Sequence, residues 1–325
     1  MKSNFINYPK GYKKKNMEEK IVVGSGGEFP LNGLLTIPDV GAAPYPAIVF
    51  VHGSGSSDMD SKVFKVRPFK DFAEGLAKLG IASIRYDKRT FAHPKKITKE
   101  FTVKEETIDD ALLATNILRN DPRIDPNRIF IAGLSLGGHL APRIDEEGGI
   151  YAGLIILAGT PRRLEKVMKS QAEEYLKTAN VIMKWIIKKQ TKKLHKKFDN
   201  LYDMSDEEAK KTPLFGKHVM AIYLKDMGKK RVSEYLKNST KPIFVAQGDG
   251  DFHVSIEKDF EEYKRILQNN PNAIFKLYPG LNHVFMPVVH GDIKKVKAEY
   301  SKPQHVDNRV IADIAKWINL NFRIV

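Results

Sequence analysis

The fold of this chain is decided by one stretch, Gly133-Leu134-Ser135-Leu136-Gly137-Gly138. The residues before it, 128–132, form a short apolar, β-branched run typical of a buried strand. The residues after it, 139–144, can begin a helix. Glycines at positions 133 and 137 permit a very tight turn, where a side chain would collide with the neighbouring backbone. Such a turn pushes a serine hydroxyl out of the sheet, as in the G-x-S-x-G nucleophile elbow, although a plain glycine-rich helix start fits the same five residues.

Strand patterns and helix patterns alternate on both sides of this turn. Short apolar runs typical of strands occur at residues 20–23, 31–37, 47–51, 81–86, 128–132, 151–158, 242–246 and 273–278. Apolar side chains at helical spacing occur at residues 69–79, 107–118, 256–267 and 309–322. The alternation predicts an α/β fold in which helices cover both faces of a mostly parallel central sheet.

A basic insertion interrupts this alternation. Residues 162–189 carry apolar side chains at helical spacing, which predicts a long amphipathic helix, and more lysine-rich helical sequence follows it. We therefore predict that residues 1–160 and 241–325 form the α/β core. Residues 161–240, hereafter the insertion, are predicted to form a helical cap between two strands of the sheet.

The charge of the chain is strongly basic and uneven. It holds 54 lysines and arginines against 39 aspartates and glutamates, a formal net charge of +15. By count, about 20 of the basic and about 10 of the acidic residues lie in the insertion. A lysine-rich face exposed to solvent is the favoured explanation of this excess, and a surface for nucleic acid, anionic lipid or an anionic substrate is the alternative. No nucleic-acid partner is predicted, because no zinc-finger, RNP or helix-turn-helix pattern accompanies the charge. Residues 1–18 are expected to form a mobile basic arm.

The composition excludes several classes of protein. The absence of cysteine rules out thiol catalysis, disulfides and cysteine-ligated zinc. No metal and no other cofactor is predicted, since the chain has no H-E-x-x-H pattern and no carboxylate cluster at ligand spacing. No run approaches about 18 apolar residues, so no membrane span is predicted. The N-terminus lacks the apolar region of a secretory signal, which predicts a cytoplasmic protein. The oligomeric state stays open, with a homodimer as one option.

Two later loops supply the partners that a nucleophilic serine needs. A serine hydroxyl attacks at neutral pH only with a base in hydrogen-bond reach and a third group that orients the base. Asp251 lies in the loop 247–254, and His283 lies in the loop 279–285. Each loop follows a predicted strand, and reactive groups in such sheets gather beyond the carboxyl ends of the strands. The chain order Ser135, Asp251, His283 is the order expected for this elbow, and it predicts a catalytic triad.

Other residues near these positions are alternatives for the same roles. Asp249 competes with Asp251 as the orienting acid, but Asp249 and its two flanking glycines form the turn that carries Asp251. His253 is expected to line the acid loop, and His139 is expected to be structural. Two histidines lie in later loop or helix-start sequence, of which the second is a candidate for a role in the pocket: His290 and His305.

A tetrahedral intermediate needs two N–H donors for its oxyanion. The first predicted donor is the N–H of Leu136, the residue after the nucleophile. The second lies in the loop after the strand 47–51, which reads His52-Gly53-Ser54-Gly55. Ser54 is the favoured donor there and Gly55 the alternative, while the plainest interpretation of these residues is a simple Gly/Ser turn.

These residues together resemble the α/β-hydrolase superfamily, from about residue 20 to residue 322. The chain is most similar to bacterial esterases of the dienelactone-hydrolase-like type. The motifs that carry the resemblance are His52–Gly55, Tyr86–Thr90, Ser135–Pro142, Gln247–Asp251 and Tyr278–His283, with a further match at Tyr300 and Pro303–Asp307. Two features depart from the group, namely Ser56-Ser57, where relatives often carry a proline, and the basic insertion.

The resemblance implies an α/β-hydrolase fold and carboxylesterase activity on a small-molecule acyl ester. Relatives of this type include acyl-CoA thioesterase-like proteins, so a thioesterase remains an alternative, as do a serine peptidase and a slow-turnover ligand-binding protein. The insertion would roof the acyl pocket. Its candidate lining residues are Met168, Tyr175, Met183 and Trp185.

Overall fold

The computed structural model describes residues 18–178, 196–215 and 219–321, together with positions 180, 181, 184, 185, 192 and 194. Residues 1–17 of the predicted arm, Met183 and part of the predicted long helix lie outside the described residues. Glu18, which the sequence assigned to the arm, is instead the first residue of a strand.

An eight-stranded sheet runs through the centre of the molecule. Its strands are β1 (Glu18–Val23), β2 (Leu31–Thr36), β3 (Tyr45–Val51), β4 (Ala82–Tyr86), β5 (Ile124–Leu134), β6 (Gly153–Leu157), β9 (Ile243–Gly248) and β10 (Ala273–Tyr278). Their spatial order is β1-β2-β4-β3-β5-β6-β9-β10. β2 pairs antiparallel with both of its neighbours, and the other described pairs are parallel. The mostly parallel sheet predicted from the sequence is confirmed.

The central strands are apolar on both faces because both faces are covered. In β3, Ile48 and Phe50 pack into one apolar cluster, while Val49 and Val51 pack into the other. Successive side chains of a strand point to opposite faces, so a strand buried on both sides needs a continuous apolar run. The continuous apolar run 47–51 is therefore explained by burial of β3 on both faces of the sheet, as the sequence indicates.

Helices lie on both faces of the sheet, as predicted. The core helices are α1 (Pro68–Ala77), α2 (Arg89–Ala92), α3 (Asp109–Arg119), α4 (Leu136–Ile144), α9 (Glu261–Ile266), α10 (Val296–Glu299) and α11 (Asn308–Asn321). π-helical turns at Lys104–Ile108, Asp145–Gly149 and Ile256–Phe260 and a 3₁₀ turn at Ile293–Lys295 adjoin them. α1 and α11 share one apolar cluster, and α3 and α4 share the other.

The insertion holds four helices whose bounds the structure describes and a short hairpin, and residues 196–199 are also helical. The helices are α5 (Leu164–Thr178), α6 (Asp206–Lys211), α7 (Ala221–Met227) and α8 (Val232–Leu236), and the hairpin pairs β7 (Pro213–Phe215) with β8 (Val219–Met220). The sequence predicted only helices here, so the hairpin is a difference. A proline disfavours helical backbone in the residue before it. Thr212 accordingly ends α6 in an extended conformation, with φ −94° and ψ 104°.

Ion pairs join the insertion to the core, and two of them involve buried side chains. Arg162 lies 2.7 Å from the fully buried Asp259, measured from Nε to Oδ1, just before α5 begins. Arg143 on α4 lies 3.1 Å from Asp226 on α7, measured from Nη2 to Oδ1. The division of the chain into a core and a cap stays a prediction.

No helix among the described residues is both long enough and apolar enough to span a bilayer. The cytoplasmic location and the oligomeric state remain predictions.

Candidate active site

Ser135 lies at the junction between β5 and α4, in a strained conformation. Its φ of 56° and ψ of −114° are rare for a residue other than glycine. Its N–H donates to the carbonyl of Leu157 at 2.8 Å, which fixes the turn to the neighbouring strand. A Cβ at Gly133 would come within 2.1 Å of the Gly137 backbone, and one at Gly137 would come within 2.2 Å of the Val51 carbonyl oxygen. The turn is thus as tight as its glycines indicate.

His283 and Asp251 form a hydrogen-bonded pair. Nδ1 of His283 lies 2.8 Å from Oδ2 of Asp251, whose side chain has no exposed surface. The other carboxylate oxygen, Oδ1, accepts from the backbone N–H groups of His253 and Val254 at 2.8 and 3.1 Å. An ionised carboxylate only accepts hydrogen bonds, so Nδ1 carries the proton and Nε2 presents its lone pair. That tautomer is the one a general base requires.

Asp249, the competing acid, has a different task. Its Oδ1 accepts the N–H of Gly280 at 2.7 Å, and its own N–H donates to the carbonyl of Tyr278 at 3.0 Å. Asp249 therefore ties the acid loop to the end of β10. The structure brings Asp251, and not Asp249, to the imidazole of His283.

The loop that carries His283 is fastened by a buried amide and a buried carboxylate. Oδ1 of Asn282 accepts the N–H groups of Val284 and Met286, both at 3.2 Å, and its Nδ2 donates to Glu299 at 3.0 Å. Glu299 also accepts three backbone N–H groups between residues 289 and 291. Burial alone would raise the pKa of Glu299, but these hydrogen bonds outweigh it and hold the pKa below its ordinary value. No sequence pattern predicted this role for Glu299.

Two further histidines lie beside the site, in the wall of a cavity that Ser135 and His283 also line. The ring of His253 lies 4.7 Å from the ring of His283. Burial lowers the pKa of His253 to about 4, with the nearby His283 as a second cause, so His253 is neutral at pH 7. Nδ1 of His139 lies 2.9 Å from the carbonyl oxygen of Thr160, and burial lowers the pKa of His139 also. Both residues fit the supporting roles that the sequence predicted for them.

The last two histidines lie elsewhere. His305 is 83% exposed at its side chain and pairs with Asp71 at 2.9 Å, so the pocket role considered for it is wrong. His305 lies three residues before α11, at the surface. The backbone N–H of His290 donates to Glu299. His290 is not one of the described residues that line the cavity.

Ser135 and His283 both line a cavity of about 690 Å³. One side is formed by core loops, including residues 53–57 and 61–63. The other side is formed by the insertion, through Leu164, Val167, Met168, Gln171, Val219, Tyr223 and Leu224. A volume of this size suits a small organic ligand.

Of the lining residues suggested for the insertion, the structure places only Met168 in the cavity wall. Tyr175 lies further along α5, where its ring contacts the ammonium of Lys294 at 5.1 Å. Trp185 is 65% exposed. Met183 lies outside the described residues. Helical spacing predicted a helix here over residues 162–189, whereas α5 ends at Thr178, and the spacing could not show where along the helix the cavity ends.

The predicted oxyanion donors flank the serine. A Cβ at Gly53 would lie 3.3 Å from Cβ of Ser135, so the loop 53–55 runs directly beside the nucleophile. Ser54 and Gly55 line the cavity, and Gly55 has a φ of +85°. Leu136 is the first residue of α4, where a backbone N–H has no acceptor within the helix. These groups can receive a negative oxygen.

Within the described chain, no group of three or more His, Asp or Glu side chains could hold a metal ion.

Comparisons with known proteins show the family of the chain. The family model described as serine aminopeptidase, S33, matches residues 42–287. Esterase EstD of Thermotoga maritima is 34% identical over 304 residues, which covers 94% of this chain and 68% of EstD.

Two solved structures share the fold at low sequence identity. Est1E from Butyrivibrio proteoclasticus superposes with a TM-score of 0.56 at 16% identity, over 93% of this chain and 98% of that chain. The Pyrococcus furiosus esterase Pf2001 superposes with a TM-score of 0.57 at 16% identity, over 98% of this chain and 99% of that chain.

Proposed function

The chain belongs to the serine aminopeptidase S33 family of α/β hydrolases, and from that premise we propose that it is a carboxylesterase in which Ser135, His283 and Asp251 carry the reaction. The observation that carries the proposal is the 2.8 Å pair between His283 and the buried Asp251, at a cavity that Ser135 also lines. The identity with an esterase supports an ester as the bond that is cleaved.

The reaction begins with acylation of the serine. Nε2 of His283 takes the proton of the Ser135 hydroxyl as Oγ attacks the ester carbonyl. Asp251 stabilises the imidazolium that forms, because its carboxylate is buried and keeps its hydrogen bond to Nδ1. The N–H groups of Leu136 and Ser54 receive the negative oxygen of the tetrahedral intermediate. The imidazolium then protonates the departing alcohol, which leaves an acyl-serine.

Water completes the cycle by the same route. Nε2 of His283 removes a proton from a water molecule as that water attacks the acyl-serine carbonyl. The same two N–H groups hold the second tetrahedral oxyanion. The imidazolium returns its proton to Oγ of Ser135, and the carboxylic acid leaves. The substrate is a small acyl ester, whose acyl group packs under the apolar side chains of the insertion.

A peptidase is the main rival, because the family description names one. An aminopeptidase needs a carboxylate to hold the amine of its substrate. Among the described residues, Glu106 is the acidic side chain in the cavity wall. It is engaged already, since it pairs with Lys88 at 3.3 Å and accepts the hydroxyl of Tyr223. An ester, which brings no amine, fits this wall better.

The test is a series of p-nitrophenyl esters from acetyl to decanoyl, run with the wild-type chain, Ser135→Ala and His283→Ala. We expect each variant to lose on the order of 10³-fold or more in kcat, since the two residues act as a unit. Circular dichroism would establish that both variants are folded. Ester turnover close to wild type in either folded variant would refute the assignment.

A matched pair of variants tests the choice of acid. Asp251→Asn removes the carboxylate that selects the tautomer of His283 and is expected to lose on the order of 10³-fold or more. Asp249→Asn keeps an oxygen for the N–H of Gly280 and is expected to stay close to wild type. The reverse pattern would make Asp249 the orienting acid.

A further inference from the structure

Lys88 is a buried cation that the reaction described above does not use. It follows β4, and its side chain is only 2% exposed. A buried ammonium is costly unless partners surround it. Nζ of Lys88 donates to the carbonyl oxygen of Gly53 at 3.0 Å and lies 3.3 Å from Oε1 of Glu106. One of its two partners therefore belongs to the loop beside the nucleophile.

Lys88 holds both ends of that loop. While its ammonium binds the carbonyl of Gly53, its backbone N–H donates to the carbonyl of Ser57 at 3.0 Å. The residues between these anchors, 54–56, line the cavity beside Ser135. A loop fastened at both ends by one residue has fewer conformations available than a free glycine–serine turn.

The anchor at Gly53 fixes a donor as well as an acceptor. The peptide bond between Gly53 and Ser54 is planar and trans, so its C=O and its N–H point in opposite directions. A carbonyl held on the Lys88 side therefore directs the N–H of Ser54 to the opposite side. The positively charged ammonium that donates to the carbonyl oxygen also polarises the peptide, which makes its N–H a stronger donor.

Glu106 binds the ammonium from the other side, and Tyr223 in turn binds Glu106. Glu106 lies in the π-helical turn before α3 and lines the cavity. Its second oxygen, Oε2, accepts the hydroxyl of Tyr223, which comes from α7 of the insertion. Burial, followed by the charge of Glu106, raises the pKa of Tyr223 well above its ordinary value, so the phenol remains a donor. The side chains form a continuous chain from the insertion to the Gly53–Ser54 peptide.

We propose that Lys88 is a positioning residue for the oxyanion hole, and that Glu106 and Tyr223 keep its ammonium in place so that docking of the insertion orients the N–H of Ser54. The inference rests on the proposed esterase function and deepens it, since it selects Ser54 over Gly55 as the second donor. Lys88 touches neither the substrate nor the reacting atoms, and it acts through the Gly53–Ser54 peptide.

The first test compares Lys88→Met with Arg89→Met. Methionine keeps the length of the aliphatic part of the lysine side chain and removes the ammonium group. Arg89 forms a neighbouring buried ion pair with Asp110 and does not line the cavity, so Arg89→Met controls for loss of a buried cation. We expect kcat to fall by about 10- to 100-fold in Lys88→Met, with KM nearly unchanged, because an oxyanion contact is made only in the transition state. Both variants are expected to have a lower Tm than wild type, but Arg89→Met is expected to keep the wild-type kcat.

An inhibitor series separates positioning from packing. A trifluoromethyl ketone forms an oxyanion on the serine, and its Ki in Lys88→Met is expected to rise by the factor by which kcat/KM falls. The carboxylic acid product forms no such oxyanion, and its Ki is expected to stay at the wild-type value. An unchanged kcat and an unchanged ketone Ki in folded Lys88→Met would overturn the inference. A wild-type chain without ester turnover would instead defeat the proposed function.

Two further variants keep the inference testable if Lys88→Met does not fold. The double variant Lys88→Met/Glu106→Gln removes both buried charges, so no unpaired carboxylate remains, and it is expected to show the same loss of kcat. Tyr223→Phe removes only the phenol hydroxyl that donates to Glu106, and it is expected to lower kcat several-fold. Wild-type kcat in the double variant would refute the role of Lys88, and wild-type kcat in Tyr223→Phe would refute the link to the insertion.

Discussion

Carboxylates in this site hold their neighbours through both oxygens. One oxygen of Asp251 orients His283, while the other binds two backbone N–H groups of its own loop. Glu299 performs a similar task for the histidine loop, through Asn282 and the N–H groups of residues 289–291. The position of the imidazole therefore depends on a carboxylate 16 residues further along the chain, 299 − 283.

The lowered pKa of Glu299 predicts a pH-dependent contribution to stability. The folded-state pKa lies below the unfolded value of about 4.3, so the contribution is present above that value and is lost as the pH falls through the folded pKa. Glu299→Gln is expected to lower the free energy of unfolding by about 1–3 kcal/mol at pH 7. The difference from wild type should shrink as the pH approaches 3.

Urea unfolding of both proteins at several pH values measures this difference. Glu257→Gln, at an exposed carboxylate, is the control and is expected to lie within about 0.5 kcal/mol of wild type. A difference between Glu299→Gln and wild type that does not change from pH 7 to pH 3 would contradict the assignment.

At the scale of elements, α5 divides into a cavity face and a solvent face. Leu164, Val167, Met168 and Gln171 line the cavity at the i, i+3, i+4, i+7 spacing of one helix face. Lys166 and Lys169 lie on the exposed side of the same helix. This division explains how one helix can be rich in lysine and still cover an apolar pocket.

The division predicts which substitution alters the choice of acyl chain. Met168→Trp fills part of the cavity and is expected to shift the preferred p-nitrophenyl ester to a shorter chain, with a loss of about 10-fold or more for long chains. Lys169→Trp places the same ring on the solvent face and should leave the preference unchanged. Measuring kcat/KM across the ester series checks both. An unchanged preference in folded Met168→Trp would mean that the acyl group lies elsewhere.

At the scale of the whole molecule, the insertion is fastened to the α/β core through α4, the helix that begins at the nucleophile. Arg143 on this helix pairs with Asp226 of α7 and is largely buried. Breaking a buried pair leaves an uncompensated charge, whereas breaking an exposed pair changes little. Loss of the Arg143–Asp226 pair is therefore expected to lower the stability of the whole molecule.

Arg143→Met is expected to lower the free energy of unfolding by about 3–5 kcal/mol. It should also increase the rate at which trypsin cleaves the insertion. Lys264→Met breaks the exposed pair with Glu261 and is expected to cost at most about 1 kcal/mol. Denaturant unfolding and mass spectrometry of the tryptic fragments check the two effects. Equal stability losses in the two variants would show that the junction does not fasten the insertion.

The sequence by itself determined the features that depend on neighbouring residues. The glycines at 133 and 137 implied a tight elbow because the clash they avoid lies within five residues and with the adjoining strand. Continuous apolar runs revealed strands buried on both faces, and the alternation of elements gave the parallel sheet. The order Ser135, Asp251, His283 followed from three loops that each come directly after a strand. The pairing of Asp251 with His283 agrees with this order, while the triad as a whole stays a prediction.

Only the tertiary structure decided which polar groups meet. Lys88 and Gly53 are 35 residues apart, and Glu106 and Tyr223 are 117 apart. No periodic pattern links such residues, because a buried polar group takes whichever partner the folded loops bring within reach. The extent of the cavity along α5, which leaves out Tyr175, depends in the same way on packing between distant segments. Local sterics and hydrophobic burial are encoded along the chain, whereas long-range polar pairing exists only once the chain has folded.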